Sequence, residues 1–230
     1  MRTIRVAVAG LGVVGRETVR LLRSNRERFA RRLGAAVELV AVCDRQSRRE
    51  AKARGLPSSV ARFDDPALLS ALEDIDIIVE VLGGVDAPKK LVLGALRAGR
   101  HVVTANKRLI AHYWPQLQAA ARAGGARLSF EASVAGGIPV LQALDSSFAA
   151  NRIESVFGIL NGTTNYILSA MERGASAEGA LAEAQRLGFA EKDPTMDLSG
   201  QDTAQKVSVL AAILTGAALA PSKIARAGIE

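Results

Sequence analysis

Residues 4–15 read I-R-V-A-V-A-G-L-G-V-V-G, an apolar run that passes directly into three spaced glycines. The run 4–9 is suited to a short buried parallel strand, and a helical pattern begins at Arg16. A G-x-G-x-x-G pattern is weak evidence alone, but strand, glycines and helix come here in the order that a dinucleotide-binding turn requires. Such a turn presents its backbone and a helix N-terminus to a pyrophosphate. The alternative is a glycine-rich turn that binds no ligand.

The predicted cofactor contacts of this loop are its six residues, Gly10, Leu11, Gly12, Val13, Val14 and Gly15. Further contacts are predicted after the second strand, residues 37–43. Asp44 would accept hydrogen bonds from an adenosine ribose, which favours NAD, whereas Arg45 and the nearby Arg48 and Arg49 would hold a 2′-phosphate, which favours NADP. The two signals conflict, so the preference stays open, with a slight lean to NADP or dual use.

Alternating strand and helix patterns continue as far as residue 131. Strands are predicted at 75–81, 101–104 and 127–131, and helices at about 87–98 and 114–123. This alternation predicts an α/β fold with a Rossmann-type doubly wound parallel sheet. Gly83, Gly84 and Lys107 follow predicted strands, at the edge where such sheets bind ligands, and are therefore predicted to contact the cofactor.

Composition narrows the classes of function. With 230 residues, 49% of them hydrophobic and 23% charged, the chain is globular and not disordered. Its single cysteine, Cys43, excludes an internal disulfide and fits a cytoplasmic location, and its apolar runs are too short to cross a membrane. The net charge of +7 allows nucleic-acid binding through the arginine-rich stretch 16–32. That stretch has no interleaved aromatics and no known binding motif, so a solvated helix face is favoured and no nucleic-acid partner is expected.

The second half contains an acidic stretch, residues 188–206, which reads G-F-A-E-K-D-P-T-M-D-L-S-G-Q-D-T-A-Q-K. Ser199 is a predicted helix N-cap, which would place Asp202 and Lys206 at i and i+4 on one helical face. Spacing alone favours an acidic loop followed by an ordinary surface ion pair. The alternative is a substrate site to which the first half brings a cofactor. A strand is predicted at 153–160, and helices at 176–187 and 199–215.

Four motifs together resemble homoserine dehydrogenase: V-T-A-N-K (103–107), F-E-A-S-V-A-G-G-I-P (130–139), G-I-L-N-G-T-T-N-Y-I-L (158–168) and residues 187–206. They occur in order over essentially the whole chain. The resemblance implies an enzyme that interconverts L-aspartate 4-semialdehyde and L-homoserine by hydride transfer with NADP or NAD, on the route to threonine and methionine. It also implies a homodimer.

The resemblance further implies roles for individual residues. Lys206 matches the proposed proton donor, and Lys107 matches a lysine beside nicotinamide and substrate. The substrate-binding residues are Glu191, Asp197 and Asp202, and Gly188 is a cofactor contact. A sodium ion is implied at Glu131, Val134, Gly136 and Ile138, largely through backbone carbonyls, which suits a hard cation.

Two domains are expected, a dinucleotide-binding domain at 1–138 and an α+β substrate domain at 139–230. Because the family continues well beyond the last residue of this chain, the second domain is expected to be incomplete at its C-terminal side. Within the matched motifs, Val13 replaces a frequent threonine, and Lys192 places a cation between Glu191 and Asp193. The alternative function is a non-catalytic nucleotide-binding or interaction protein that keeps the fold but has lost activity through truncation.

Overall fold

The chain forms two compact units, Met1–Ser133 and Val134–Glu230. The computed structural model describes residues 2–44 and 55–229, and elements are numbered within those ranges. The strands are β1 (Arg2–Ala9), β2 (Ala35–Cys43), β3 (Ala61–Phe63), β4 (Ile77–Glu80), β5 (His101–Thr104) and β6 (Leu128–Ser129).

All six strands belong to one sheet in the first unit, in the order β3-β2-β1-β4-β5-β6. Every neighbouring pair is parallel. The order runs outward from β1 in both directions, which is the arrangement of a doubly wound Rossmann-type sheet, and confirms the predicted fold class. At its carboxyl end β1 is buried from Val6 to Ala9, as its continuous apolar run requires.

The helices of the first unit are α1 (Val13–Ser24), α2 (Arg26–Leu33), α3 (Ala67–Ala71), α4 (Asp86–Arg97) and α5 (Lys107–Gly124), and a 3-10 turn spans Glu131–Ser133. The predicted start of α5 at residue 114 is wrong. Asn106 caps the helix by accepting a hydrogen bond from the Leu109 N–H, so helical structure begins at Lys107. The prediction included only the part of the helix after Tyr113. At Tyr113 the backbone leaves helical geometry, and Pro115 is tolerated just after this kink because proline has no N–H that needs a partner.

The second unit is helical in its described residues, 134–229. Its elements are α6 (Val140–Gln142), a π-helical turn (Ala143–Ser147), α7 (Gly162–Glu172), α8 (Ala177–Arg186), α9 (Thr195–Leu198), α10 (Gln201–Thr215) and a 3-10 turn (Pro221–Lys223). Ile167 of α7 packs with Ala180 and Ala184 of α8 in a small apolar cluster. Across residues 2–44 and 55–229, no helix has the length and apolar character needed to cross a membrane.

The strand predicted at 153–160 is wrong. These residues have no regular secondary structure, and Phe157 and Ile159 are 95% and 74% exposed. The apolar and β-branched residues of this segment favour a strand only where a neighbouring strand and a packed face are present. None of the described residues supplies such a neighbour.

Candidate functional site

The glycine loop joins β1 to α1, and its three glycines differ in backbone conformation and in the space around the missing side chain. Gly10 has a φ of +100°, and a Cβ there would lie 2.4 Å from the Val81 carbonyl oxygen. A Cβ on Gly15 would lie 1.8 Å from the Gly10 carbonyl oxygen. Gly12 caps α1 without a side-chain hydrogen bond, and no described atom lies within 4 Å of the Cβ it lacks. The N-terminus of α1 therefore faces open space at Gly12, where an anionic phosphate could approach.

Asp44 follows β2 and contacts the glycine loop. Its Oδ2 accepts a hydrogen bond from the Leu11 backbone N–H at 2.7 Å. Leu11 itself is buried, whereas Val13 and Val14 are exposed. A carboxylate can accept several hydrogen bonds, so Asp44 can hold the loop and still accept from a ribose hydroxyl. Arg45, like Arg48 and Arg49, lies outside the described residues.

Cys43, the residue before Asp44, is not a candidate nucleophile. Its side chain is fully buried. Burial, with the charges of Asp44, Asp65 and Asp64, raises the pKa of the Cys43 thiol to about 12. Since the thiolate is the reactive form of cysteine, this thiol is inert near neutral pH.

Lys107 is the first residue of α5 and is half-buried. A cation at a helix N-terminus interacts unfavourably with the helix dipole. The preceding Asn106 donates from Nδ2 to the Gly84 carbonyl oxygen at 2.9 Å. Asn106 thus joins two segments predicted to contact the cofactor, the Gly83-Gly84 loop and the start of α5.

Glu80 is not among the residues that the sequence pattern indicated, yet its side chain is fully buried at the end of β4. The Leu82 N–H donates to Oε1 at 2.8 Å, and the Thr104 hydroxyl donates to Oε2 at 2.5 Å. Burial raises the pKa of the Glu80 carboxyl group, and hydrogen bonds from Thr104, Leu82 and Asn106 oppose that rise. The available signal was a glutamate inside the apolar run I-D-I-I-V-E-V, because glutamate is rarely buried without partners.

In the second unit, Asn161 joins two of the predicted substrate-binding acids. Its Nδ2 donates to Asp197 Oδ1 at 2.7 Å and to Asp202 Oδ2 at 3.0 Å. Its Oδ1 accepts from the Thr164 N–H at 2.8 Å, which makes Asn161 the N-cap of α7. Asn161 is buried and was not predicted as a site residue. An asparagine directly before a helical pattern, N-G-T-T-N-Y-I-L, was the signal that could have identified it as a cap.

Lys206 completes this cluster, hereafter the Asn161 network (Asn161, Asp197, Asp202 and Lys206). Its Nζ lies 2.7 Å from Asp202 Oδ2, and the two side chains are 18% and 10% exposed. It also donates to the Leu160 carbonyl oxygen at 2.6 Å. The spacing-based expectation of a surface ion pair is therefore wrong, because Leu160 and Asn161 pack against this part of α10. An ammonium carries three hydrogens, so these two acceptors leave one for a further acceptor.

Ser199 does not cap α10, contrary to the prediction. It follows the short helix α9, and Gly200, in a left-handed conformation with φ of +73°, is the N-cap. The chain must turn sharply between the two helices, and glycine adopts that backbone conformation without steric cost. The Ser199 hydroxyl is buried and has no hydrogen-bond partner among the described residues.

The two remaining predicted site residues of this stretch, Glu191 and Gly188, lie outside the Asn161 network, as does the neighbouring Asp193. Glu191 is exposed, and its backbone carbonyl accepts from Gln185 Nε2 at 3.2 Å. Gly188 follows α8 with a φ of +79°. Asp193 caps the turn before α9, and hydrogen bonds from the side chain and backbone of Thr195 lower the pKa of its carboxyl group.

The residues implied for sodium lie in two consecutive turns. Glu131 begins the 3-10 turn that ends the first unit, and Val134, Gly136 and Ile138 begin the second. Within the turn at the start of the second unit, the Ile138 N–H donates to the Ala135 carbonyl oxygen at 2.8 Å. Among the described residues, no group of three or more His, Cys, Asp or Glu side chains could hold a metal ion.

The fold and these clusters define a class of protein: an α/β protein with a Rossmann-type dinucleotide-binding unit and a helical unit that carries a buried acid–lysine network. Residues 10–131 match the family model for the homoserine dehydrogenase NAD binding domain, and residues 139–230 match the homoserine dehydrogenase model. The chain belongs to the homoserine dehydrogenase family.

Individual relatives agree with this assignment. A homoserine dehydrogenase of Neisseria gonorrhoeae is 43% identical over 217 residues, which are 94% of this chain and 49% of that protein. A homoserine dehydrogenase structure from Thiobacillus denitrificans is 42% identical with a TM-score of 0.90, covering 100% of this chain and 53% of that chain. A hyperthermophilic archaeal homoserine dehydrogenase in complex with NADPH is 25% identical with a TM-score of 0.83, covering 94% and 71%. The chain spans about half the length of the curated relatives it matches.

Proposed function

We propose that this protein is an NAD(P)-dependent oxidoreductase that interconverts L-aspartate 4-semialdehyde and L-homoserine. The observation that carries the proposal is the Asn161 network, in which a largely buried lysine is held by an aspartate and a backbone carbonyl. Membership of the homoserine dehydrogenase family supports it. A dinucleotide-binding domain at 1–138 and a substrate domain at 139–230 are proposed, whereas the boundary between the two compact units lies between Ser133 and Val134.

Lys206 is proposed as the proton donor. Addition of a hydride to an aldehyde carbon leaves negative charge on the oxygen, which an ammonium group stabilises and then protonates. In the reverse direction the amine removes the proton from the homoserine hydroxyl. Asp202 and the Leu160 carbonyl hold the Lys206 Nζ in one position and leave its third hydrogen for the substrate oxygen.

Glu191, Asp197 and Asp202 are proposed to bind the substrate, whose α-ammonium group requires carboxylates. Asp202 already pairs with Lys206, so Asp197 and Glu191 carry more of that binding. Asn161 separates the Asp197 and Asp202 carboxylates with one amide group. This arrangement satisfies two nearby negative charges that would otherwise repel each other.

The coenzyme is proposed to bind with its pyrophosphate at the glycine loop and its nicotinamide near Lys107, Gly83 and Gly84. The nicotinamide supplies or accepts the hydride when bound. NADP use is supported by the NADPH complex of the archaeal relative, and NAD use by Asp44. Gly188 stays a proposed coenzyme contact on the resemblance alone.

Three finer assignments are also proposals. A sodium ion would be held by the Glu131 carboxylate and by backbone carbonyls of Val134, Gly136 and Ile138, where it would stabilise the turn. A homodimer is proposed on the family resemblance. A cytoplasmic location is proposed because the single cysteine is buried and forms no disulfide.

An assay on the 230-residue chain tests the proposal. NADP⁺ and NAD⁺ reduction is followed with L-homoserine at alkaline pH, beside coenzyme binding by calorimetry. We expect turnover with L-homoserine and none with L-2-aminobutyrate, which lacks the hydroxyl group to be oxidised. Binding without turnover would favour the non-catalytic nucleotide-binding protein. Neither binding nor turnover, with salt-sensitive DNA binding, would favour the nucleic-acid alternative.

A further inference from the structure

The carboxyl group of Glu80 is fully buried and lies at the carboxyl end of a central parallel strand. Burying such a group without partners is costly. Its two oxygens accept from two different segments: Oε1 from the Leu82 N–H after β4, and Oε2 from the Thr104 hydroxyl at the end of β5. Glu80 therefore joins two adjacent strand ends through its side chain.

The contacts continue beyond Thr104. Thr104 Oγ1 accepts from the Asn106 backbone N–H at 3.0 Å, so its single hydrogen is available for Glu80 Oε2. The Asn106 side chain donates to the Gly84 carbonyl oxygen and accepts from the Leu109 N–H at 3.1 Å. The result is a connected set of hydrogen bonds, hereafter the Glu80 hub (Glu80, Leu82, Gly84, Thr104, Asn106 and Leu109).

The hub holds both segments that the proposed function assigns to the nicotinamide end of the coenzyme. One is the Gly83-Gly84 loop, where, apart from chain neighbours, no described atom lies within 4 Å of either missing Cβ. The other is the start of α5 at Lys107. Because glycine-rich backbone has the most conformational freedom to lose, such a loop needs external ties to keep one geometry.

We propose that Glu80 is a positioning residue, whose buried carboxyl group fixes the Gly83-Gly84 loop against the Asn106–Lys107 helix start and so preorganises the coenzyme site. The link to coenzyme binding rests on the proposed function. The tie itself rests on the hydrogen bonds alone, and the two are separable by experiment.

The primary variant is Thr104→Val, which keeps the shape of the side chain and removes the hydroxyl group shared by Glu80 and Asn106. Thr104→Ser restores that hydroxyl. Glu80→Gln is a second variant, which keeps an acceptor for Leu82 but places an amide NH₂ against the Thr104 hydroxyl. Glu38→Gln makes the same substitution on β2, at a side chain that is 45% exposed and lies outside the hub, and serves as the matched control.

Two readouts are measured on each variant: amide hydrogen exchange by NMR and coenzyme binding by calorimetry. In Thr104→Val and Glu80→Gln we expect exchange at Leu82 and Asn106 to accelerate about tenfold or more, and the coenzyme Kd to rise about tenfold. The amides of Ala7 and Val42 should keep their exchange rates. Thr104→Ser should recover most of both effects, and Glu38→Gln should show neither.

Unchanged amide exchange at Leu82 and Asn106 would overturn the proposal. Exchange that accelerates evenly through the sheet, with the coenzyme Kd unaltered, would also overturn it, because a purely structural residue gives that pattern. If the unsubstituted chain binds no coenzyme, the proposed function fails. The exchange result would then still decide whether Glu80 ties the two segments.

Discussion

The two units place their candidate groups by different physical means. In the first unit, the glycine loop, Gly83-Gly84 and Lys107 follow strand ends of one parallel sheet, and the backbone fixes where each begins. In the second unit, Asp197, Asp202 and Lys206 are joined through the side chain of Asn161. A site placed by backbone tolerates side-chain loss except where space is critical or where side chains tie its loops together, as proposed for the Glu80 hub, whereas a site placed by side chains depends on each member.

For the same reason, substitutions in the two units should affect different properties of the protein. Removing one member of the Asn161 network leaves a buried polar partner unsatisfied, so stability and chemistry fall together. Adding a methyl group at Gly12 meets no described atom and should affect only a ligand. The following variants test this contrast, in order of decreasing expected effect.

Lys206→Ala should lower kcat for L-homoserine oxidation by about 10²- to 10⁴-fold, because it removes the proposed acid–base group. Coenzyme affinity, measured by calorimetry, should stay within about twofold, because Lys206 is not one of the proposed coenzyme contacts. A twofold change in Kd corresponds to less than about 0.5 kcal/mol. Lys206→Met keeps most of the apolar stem and guards against loss of fold. The control is Lys223→Ala, an exposed cation of the same unit. Near-normal turnover in Lys206→Ala would remove Lys206 from the mechanism.

Asn161→Ala should lower kcat/KM about tenfold or more and the free energy of unfolding by about 2–4 kcal/mol, since two acids lose a donor and α7 loses its cap. Ser176→Ala is the matched control, because Ser176 caps α8 through the Gly179 N–H and contacts no site residue among those described. It should lose only about 1 kcal/mol, with kcat/KM unchanged. Urea unfolding and steady-state kinetics measure both. Equal losses in the two variants would mean that Asn161 is only a cap.

Gly12→Ala and Gly15→Ala should separate ligand space from packing. Gly12→Ala should raise the coenzyme Kd about tenfold while the free energy of unfolding changes by less than about 0.5 kcal/mol. Gly15→Ala should cost about 1–3 kcal/mol or more, because its Cβ would overlap the Gly10 carbonyl oxygen at 1.8 Å. Calorimetry and urea unfolding measure these quantities. A Gly12→Ala protein that binds coenzyme normally would contradict the placement of the pyrophosphate.

Glu80 should give the smallest effect, a pH dependence of stability. Burial raises its folded-state pKa above the ordinary 4.5, so the folded protein binds the proton more tightly than the unfolded chain. The stability contributed by protonated Glu80 is fully present below pH 4.5 and is lost as the pH rises through the raised folded pKa. Unfolding curves over that window should fall less steeply with pH in Glu80→Gln than in Glu38→Gln. Parallel pH profiles would contradict the raised pKa.

Much of the first unit could be read from the pattern of residues. Residues 101–104 were predicted and observed as the same strand, because a short apolar run between turns has few alternatives. β3 was not predicted, since the run A-R-F is too short to show a period. The segment 153–160 shows the reverse error, because strand preference without a partner strand does not make a strand.

The sequence by itself determined the doubly wound sheet, the glycine loop and the family, because these depend on local periodicity and on motifs that are contiguous along the chain. Tertiary structure alone decided that Asp202 is buried and Lys206 largely buried, that Asn161 joins Asp197 to Asp202, and that Glu80 joins β4 to β5. These contacts connect residues 36, 41 and 24 positions apart. Burial and long-range hydrogen bonds depend on which segments pack together, and spacing along the chain does not carry that information.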